Sequence, residues 1–450
     1  MERRILLPYG KGQIAVEISE EELNAVITSD LASYIPEMSQ QEIIDCAMQH
    51  PYNSSTLEYL AQSAKTVVIL TSDHTRPMPS KLTMPVLLEA VRRGNPKADI
   101  TILIATGCHR ATTEEEMAER FGKDIVENEK ILIHNCDEGP FVYVGTSPDG
   151  NHIELNRLAC EADLLIAEGF IEPHFFAGFS GGRKSVMPGV ASRSTIMYNH
   201  CADNIDHEYS TMGELNLNPI HQGMVLAARA AGLGFILNVI LNDRKEVIGA
   251  VAGDMETAHA AGVELLSKLC RSSVKPADIV ITTNGGFPLD QNIYQSVKGM
   301  TTAAAACSEG GIIIMAACCN DGHGGDAFFH TFAENPNTGM ILDEILARTP
   351  KDTVPDQWQS QIFCKILMKH TVILVSEAPQ SMVEALHLTY SSSMEDALRK
   401  ARELLKKEHP SINVIPDGVS VILNDLFLPP PRCPAGQDQS GFLHRQSDLI

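Results

Sequence analysis

The densest chemistry in the sequence lies in Glu172-Pro-His-Phe-Phe-Ala-Gly-Phe-Ser-Gly-Gly-Arg-Lys-Ser185, which sets an imidazole, two cations and hydroxyls among glycines. Gly178, Gly181 and Gly182 permit positive φ and a close approach of backbone to a ligand, and Arg183-Lys184-Ser185 is placed to open a helix whose amides favour an anion. A Walker-type phosphate loop needs Gly immediately before its Lys, and Arg183 stands there instead. The stretch therefore suits a nucleotide-like or other anionic ligand, with Lys184 free for another task.

Other reactive side chains occur at similar punctuation. Asp73-His-Thr-Arg-Pro-Met-Pro-Ser80 is stiffened by Pro77 and Pro79 and offers Arg76, whose planar fork suits a carboxylate; as a lone loop it would read as a capped turn. His109 in Gly-Cys-His-Arg is mirrored by His174, and two imidazoles of near-neutral pKa can exchange a proton with one substrate hydroxyl from two directions. His200 is either a packed histidine or a metal ligand. No His-x-x-x-His or Cys-x-x-Cys accompanies it, so most ligands of any metal there must come from outside the chain. Cys318, Asp321 and His323 have loose metal-site chemistry at irregular spacing, which favours a turn or active-site loop. Trp358 is the single tryptophan and suits an interdomain plug or a cleft wall equally.

The elements that must position these residues follow a strand, loop and helix grammar. Apolar runs at Lys65–Ser72, Asp99–Thr106 and Asp163–Phe170 have the length of strands buried on both faces, and each empties into one of the polar loops. Three such strands describe a parallel sheet with one crevice at its carboxyl edge, where Asp73, Arg76, His109, His174 and Lys184 are expected to meet. Ile5–Ile18 reads as a short β-rich opening, and Glu20-Glu21-Glu22 as the start of the first amphipathic helix. A strand around Gly234–Leu241 follows. After a linker at Ser273–Pro276, further strands at Ala277–Thr283, Gly311–Met315 and His370–Val375 build a second α/β domain, whose first helix carries Tyr294, Gln295 and Lys298.

The expected organisation is an N-terminal cofactor-binding and catalytic domain over 1–272 and a C-terminal domain over 277–423 that closes the cleft. Both are Rossmann-like α/β units with mainly parallel sheets. Residues 424–450 lack periodicity and read as a disordered tail or an engineered extension. At 450 residues two domains are the default, and 44% apolar residues suit a globular protein. A formal charge of −22 disfavours nonspecific binding to nucleic acid or acidic membrane. No run of about 20 apolar residues offers a membrane span, and Met-Glu-Arg-Arg-Ile lacks the apolar segment of a signal peptide, so a cytoplasmic location is expected. Eleven cysteines without a Cys-x-x-Cys pair fit reduced thiols.

Together these motifs resemble the nickel-dependent lactate racemase family. The resemblance is carried by Ser-Asp-His-Thr-Arg-Pro around Asp73, Gly-Cys-His-Arg around His109, the long run from His174, His200, Tyr-Gln-Ser-Val-Lys from Tyr294, and Trp358, and spans roughly residues 1–421. It implies a racemase that interconverts D- and L-lactate on a nickel-pincer nucleotide, through pyruvate and proton-coupled hydride transfer. It further implies that Lys184 is covalently joined to that pyridinium mononucleotide and that His200 is the one protein ligand of nickel. By the same carry-over His109 and His174 are the acid/base pair, and Arg76 holds the carboxylate with Gln295 and Lys298. Tyr294 and Trp358 shape the pocket, and Asp73 anchors the cofactor or Arg76. Gly178, Gly181, Gly182, Arg183 and Ser185 then cradle the nucleotide, and proteins that synthesise the cofactor become expected partners, with a homo-oligomer also possible.

Three rivals stand beside this reading. One is a racemase or 2-epimerase of malate or a longer aliphatic 2-hydroxyacid; another is a nucleotide-binding phosphotransferase, which Arg183 disfavours; the third is a non-catalytic cofactor carrier, which the two histidines disfavour.

Overall fold

The computed structural model describes residues 1–424, and the expected tail beyond Asn424 lies outside them. β-branched and aliphatic runs form two six-stranded sheets. In the first, the strand order is Val247–Gly253, Leu233–Leu241, Leu164–Phe170, Thr66–Ser72, Asp99–Ala105 and Lys130–Ile133. All of its pairings are parallel except that between Leu233–Leu241 and Val247–Gly253. The chain builds outward from Thr66–Ser72 in one direction, then returns to add Leu164–Phe170 on the other flank. Connections leaving these two neighbours diverge to opposite sides, which opens a crevice at their carboxyl ends, the place where such sheets hold ligands. The Asp73 loop and the Glu172 loop are the two lips of that crevice.

The second sheet is parallel throughout, in the order Thr389–Ser391, Thr371–Val375, Cys307–Ala316, Ala277–Thr283, Ile412–Ile415 and Leu23–Val26. Its last member corrects two expectations. The stretch after Glu20 is not a helix: Glu22 is buried with its carboxylate 2.8 Å from Arg402, and Leu23–Val26 joins the sheet edge beside Ile412–Ile415. The antiparallel hairpin Glu2–Tyr9 with Gly12–Ser19 also packs Ile5, Leu7, Val16 and Ile18 against Ile279, Ile281 and Ile314. Residues 1–26 therefore belong to the second domain, not to the first where the sequence order had put them. Two segments consequently cross between the domains. One runs on from Ile27, which donates to the carbonyl of Val414. The other is Arg271–Ser273, paired with Ile422–Asn424.

Candidate active site at the carboxyl edge of the first sheet

Strand ends deliver the side chains. One crevice is lined by Asp73 and Arg76 from the end of Thr66–Ser72, by Gly107 and His109 from the end of Asp99–Ala105, and by Gly181, Lys184 and Ser185 beyond Leu164–Phe170. His174 faces the same cations: burial, then the charges of Lys184, Lys298 and Arg76, push its pKa well below the ordinary histidine value. Its Nδ1 accepts from the backbone N–H of Ala177 at 3.2 Å, so a neutral His174 carries its proton on Nε2.

His109 is held differently. Its Nδ1 lies 2.6 Å from Oδ2 of the buried Asp73, whose other oxygen accepts from the Thr75 hydroxyl at 2.6 Å and the Thr75 amide at 3.0 Å. Burial works against the charged form of Asp73, but the hydrogen bond and charge of His109, with Arg76 behind them, outweigh it and hold the carboxyl far below its usual range. Arg76 donates from Nη1 to the Thr75 hydroxyl at 3.0 Å. Asp73, Thr75, Arg76 and His109 thus form one connected unit.

The loop Glu172–Ser185 is stiffer and shorter-reaching than its composition suggests. The expected helix is a single 3₁₀ turn, Gly182–Ser185. Arg183, expected to face the ligand, turns inward and is 2% exposed. Its guanidinium donates to the carbonyls of Ala177, Ser180 and Gly181 at 3.0 to 3.2 Å, so it fastens the loop and offers no donor to a ligand in the crevice. Among the three glycines only Gly181 lines the crevice. It sits at φ +78°, where an added Cβ would come within 2.7 Å of Asn238 Oδ1. Gly178 at φ +76° instead lies against the carbonyl of Glu214, and Gly182 against the ring of His259. Lys184 reaches the crevice, and burial, then Arg183 and Arg76, push its amine well below the usual lysine range.

Helices of the second domain complete the surroundings. Ile293–Ala305 carries Tyr294, Gln295 and Lys298. Burial, then Arg76, lowers Lys298 to about 8, with Glu172 opposing. The Tyr294 hydroxyl donates to Asp356 Oδ1 at 3.1 Å, and Gln295 Oε1 is buried without a partner. Gln357–Lys369 brings Trp358 edge-on to His200, with ring centres 5.2 Å apart, and its Gln361 donates to the carbonyl of Ala202 at 2.9 Å. Trp358 thus packs a second-domain helix against His200 of the first domain. His200 is 4% exposed and enclosed by Phe176 and Trp358; burial lowers it to about 3, so it is neutral at pH 7, and its Nδ1 has no partner. Among the described residues no three His, Cys, Asp or Glu side chains gather as a metal cage. His323 instead belongs to a turn whose carbonyl receives the Tyr294 amide at 3.0 Å.

Known proteins match this chain over most of its length. Residues 9–213 match the family described as the lactate racemase N-terminal domain, and residues 272–423 match the lactate racemase C-terminal domain. The chain belongs to the lactate racemase family. A lactate racemase of Thermoanaerobacterium thermosaccharolyticum is 47% identical over 423 residues, 94% of this chain and 99% of that protein. One from Lactiplantibacillus plantarum is 45% identical over 419 residues, 93% and 99% of the two chains. The solved structure of the Thermoanaerobacterium thermosaccharolyticum lactate racemase apoprotein superposes with a TM-score of 0.91 at 46% identity, covering 94% of this chain and all of that one. A Thermotoga maritima protein at 22% identity, with a TM-score of 0.62 over 87% of this chain, shares the fold. The protein is accordingly an isomerase of the racemase class, built as a two-domain, mainly parallel α/β enzyme. No helix among the described residues is long and apolar enough to cross a membrane.

Sequence reasoning missed several residues of the site. Thr75 and Asn238 are ordinary polar residues until the fold shows what they hold. Glu168, a lone carboxylate inside an apolar strand, was a visible signal that went unread. So was Arg120, whose guanidinium donates to the carbonyls of Ser72 and Arg76.

Proposed function

We propose that this protein interconverts D- and L-lactate on a nickel-pincer nucleotide joined covalently to Lys184. The observation that carries the reading is one switch-point crevice lined by His109, Arg76 and Lys184, with His174 close enough to Lys184, Lys298 and Arg76 for their charges to act on it. The residues present fit the group. His200 offers a neutral, buried imidazole nitrogen without a partner, as a single protein ligand to a metal caged by its own cofactor requires. Lys184 is a buried amine biased toward its uncharged, nucleophilic form. Gly107, Gly181 and Ser185 line the crevice beside it, where a nucleotide would lie.

When bound, the group supplies a hydride acceptor, so that the α-hydrogen of the hydroxyacid leaves and returns as hydride. Arg76 and Lys298 bind the substrate carboxylate and fix the carbon that reacts. His109 or His174, according to the enantiomer, takes the hydroxyl proton as the substrate flattens to its 2-oxoacid, His174 doing so in the tautomer that gives up its Nδ1 contact with Ala177 and leaves Nε2 bare. The other imidazole returns a proton when the hydride comes back on the opposite face. Tyr294 and Trp358 crowd the methyl side and keep water from the 2-oxoacid stage. Proteins that make the cofactor are the partners this reading requires, and a cytoplasmic address goes with it.

Intact-mass spectrometry together with a lactate interconversion assay tests the proposal. Protein produced with the cofactor-making machinery should carry a nickel-containing nucleotide adduct and racemise either enantiomer. Lys184→Ala should lose the adduct and all turnover. An active chain with no adduct, or Lys184→Ala protein that keeps one, would overturn the assignment. Enantiomers of malate assayed in parallel decide between lactate and a dicarboxylate.

A further inference from the structure

Glu168 has no task in the chemistry above, yet it is fully buried in Leu164–Phe170. Its partner in register on the next strand is Leu237, and the residue before it is Ala167, so the sheet itself calls for an apolar side chain here. A bare carboxylate in such a place is costly unless it is fully hydrogen-bonded. Glu168 has three hydroxyl donors: Thr71 at 2.5 Å and Ser80 at 2.6 Å on Oε1, and Thr83 at 2.6 Å on Oε2.

These donors have one thing in common. Thr71 stands two residues before Asp73, Ser80 stands four residues after Arg76, and Thr83 lies in the first turn of the helix that follows. Both shoulders of the loop carrying Asp73, Thr75 and Arg76 are therefore tied to one carboxylate on the neighbouring strand. From the other side, Arg120 grips the backbone of the same loop at Ser72 O, 2.8 Å away, and at Arg76 O. Burial works against the charge of Arg120, and Glu168 is the largest counter-charge that sustains it. The carboxylate thus holds the loop through hydroxyls and supports the cation that holds it through carbonyls.

We propose that Glu168 is a positioning residue for Arg76, acting through Thr71, Ser80, Thr83 and Arg120, and that it thereby sets affinity for the substrate carboxylate. This inference rests on the reading of Arg76 as the carboxylate clamp. A loop free to shift by a fraction of an ångström loses the two-pronged alignment of the guanidinium and loosens the Asp73 contact to His109, while leaving His174 and Lys184 on their own strand end.

The test is steady-state kinetics of the cofactor-bearing enzyme. Glu168→Gln keeps the volume and removes the charge; KM for both lactate enantiomers should rise about tenfold, the size of one well-made charge-assisted contact, with a smaller fall in kcat through the Asp73 contact to His109. Thr83→Val, which deletes one arm, should raise KM by a smaller factor, and Thr83→Ser, which restores the hydroxyl, should return it to the wild-type value. A merely structural Glu168 would instead lower kcat and the active fraction with KM unchanged, and that result overturns the proposal. If Glu168→Gln fails to fold, the Thr83 pair decides: equal KM values for Val and Ser overturn it. Wild-type enzyme that carries its adduct and does not turn lactate over refutes the parent reading, whereas an active wild type with unmoved KM in the variants refutes only this one.

Discussion

In the proposed reaction the two imidazoles of the site do the same formal job in unlike surroundings. His109 is on the rim, its side chain 47% exposed, with a carboxylate 2.6 Å away that is itself secured by Thr75. His174 is walled by Phe175 and Phe176 and surrounded by Lys184, Lys298, Arg76 and His200, with a backbone amide on Nδ1. A proton arriving at His109 meets a negative partner; a proton arriving at His174 meets only positive ones. Attachment of Lys184 to a cofactor changes this in one place, because an acylated amine carries no charge. His174 then loses the largest cation acting on it, whereas Lys184 is not among the charges that shape Asp73 beside His109. Loading thus narrows the difference between the two imidazoles without removing it, since Lys298 and Arg76 still face His174 and Asp73 still faces His109.

Thermodynamics limits how far the difference can show. Two enantiomers have equal free energy, so kcat/KM must be the same in both directions at every pH, and any inequality between the imidazoles must appear in kcat and KM separately and cancel in their ratio. The sharpest way to break the comparison is to remove one base at a time. His109→Gln and His174→Gln should each lower racemisation by about 10² to 10⁴-fold. Each should still convert one enantiomer, a different one in the two variants, to its 2-oxoacid in a single turnover read by rapid quench and chiral chromatography. If either variant blocks both enantiomers at that stage, the division of labour between them is wrong. Asp73→Asn is the next largest test, since it leaves the shape and removes only the counter-charge of His109. Racemisation should fall about 10²-fold, with single-turnover oxidation lost for the enantiomer served by His109 and kept for the other; equal losses would make Asp73 a partner of both.

The same contrast explains what could be read from the sequence. Four strands of the first sheet, Thr66–Ser72, Asp99–Ala105, Leu164–Phe170 and Leu233–Leu241, announce themselves as apolar runs, because a strand covered on both faces has little polar side to show, whereas Lys130–Ile133 and Val247–Gly253 went unread. The loops at the strand ends stand out by composition. That sufficed to bring Asp73, Arg76, His109 and Lys184 to one edge. It could not reveal which way a side chain turns once there. Arg183 and Lys184 are neighbours of equal charge, yet a 3₁₀ turn aims one at carbonyls and the other at the crevice. Nor could local pattern place Leu23–Val26, four residues whose strand character comes from an edge supplied by Ile412–Ile415, almost four hundred residues later. The run of glutamates before it has helix-forming residues, and tertiary pairing overrode them. Glu168 was legible as an anomaly, a charge in a buried strand, but its partners lie on two other elements.

Lys298 gives the smallest predicted effect and bears most directly on the His174 side. Burial, then Arg76, lowers its amine to about 8, with Glu172 opposing. The amine is cationic below about pH 8 and neutral above it, while lactate is a carboxylate throughout the range from 6 to 9.5. Attraction between them is therefore complete on the acid side and fades as pH rises through 8. KM should be level from about pH 6 to 7.5 and then climb, by up to about tenfold, to a plateau at which Arg76 alone holds the carboxylate. Lys298→Arg, whose guanidinium keeps its charge, should flatten the climb. A wild-type KM that stays level to pH 9.5 would remove Lys298 from carboxylate binding. It would also mean that the cations around His174 serve to keep that imidazole neutral and ready to accept a proton.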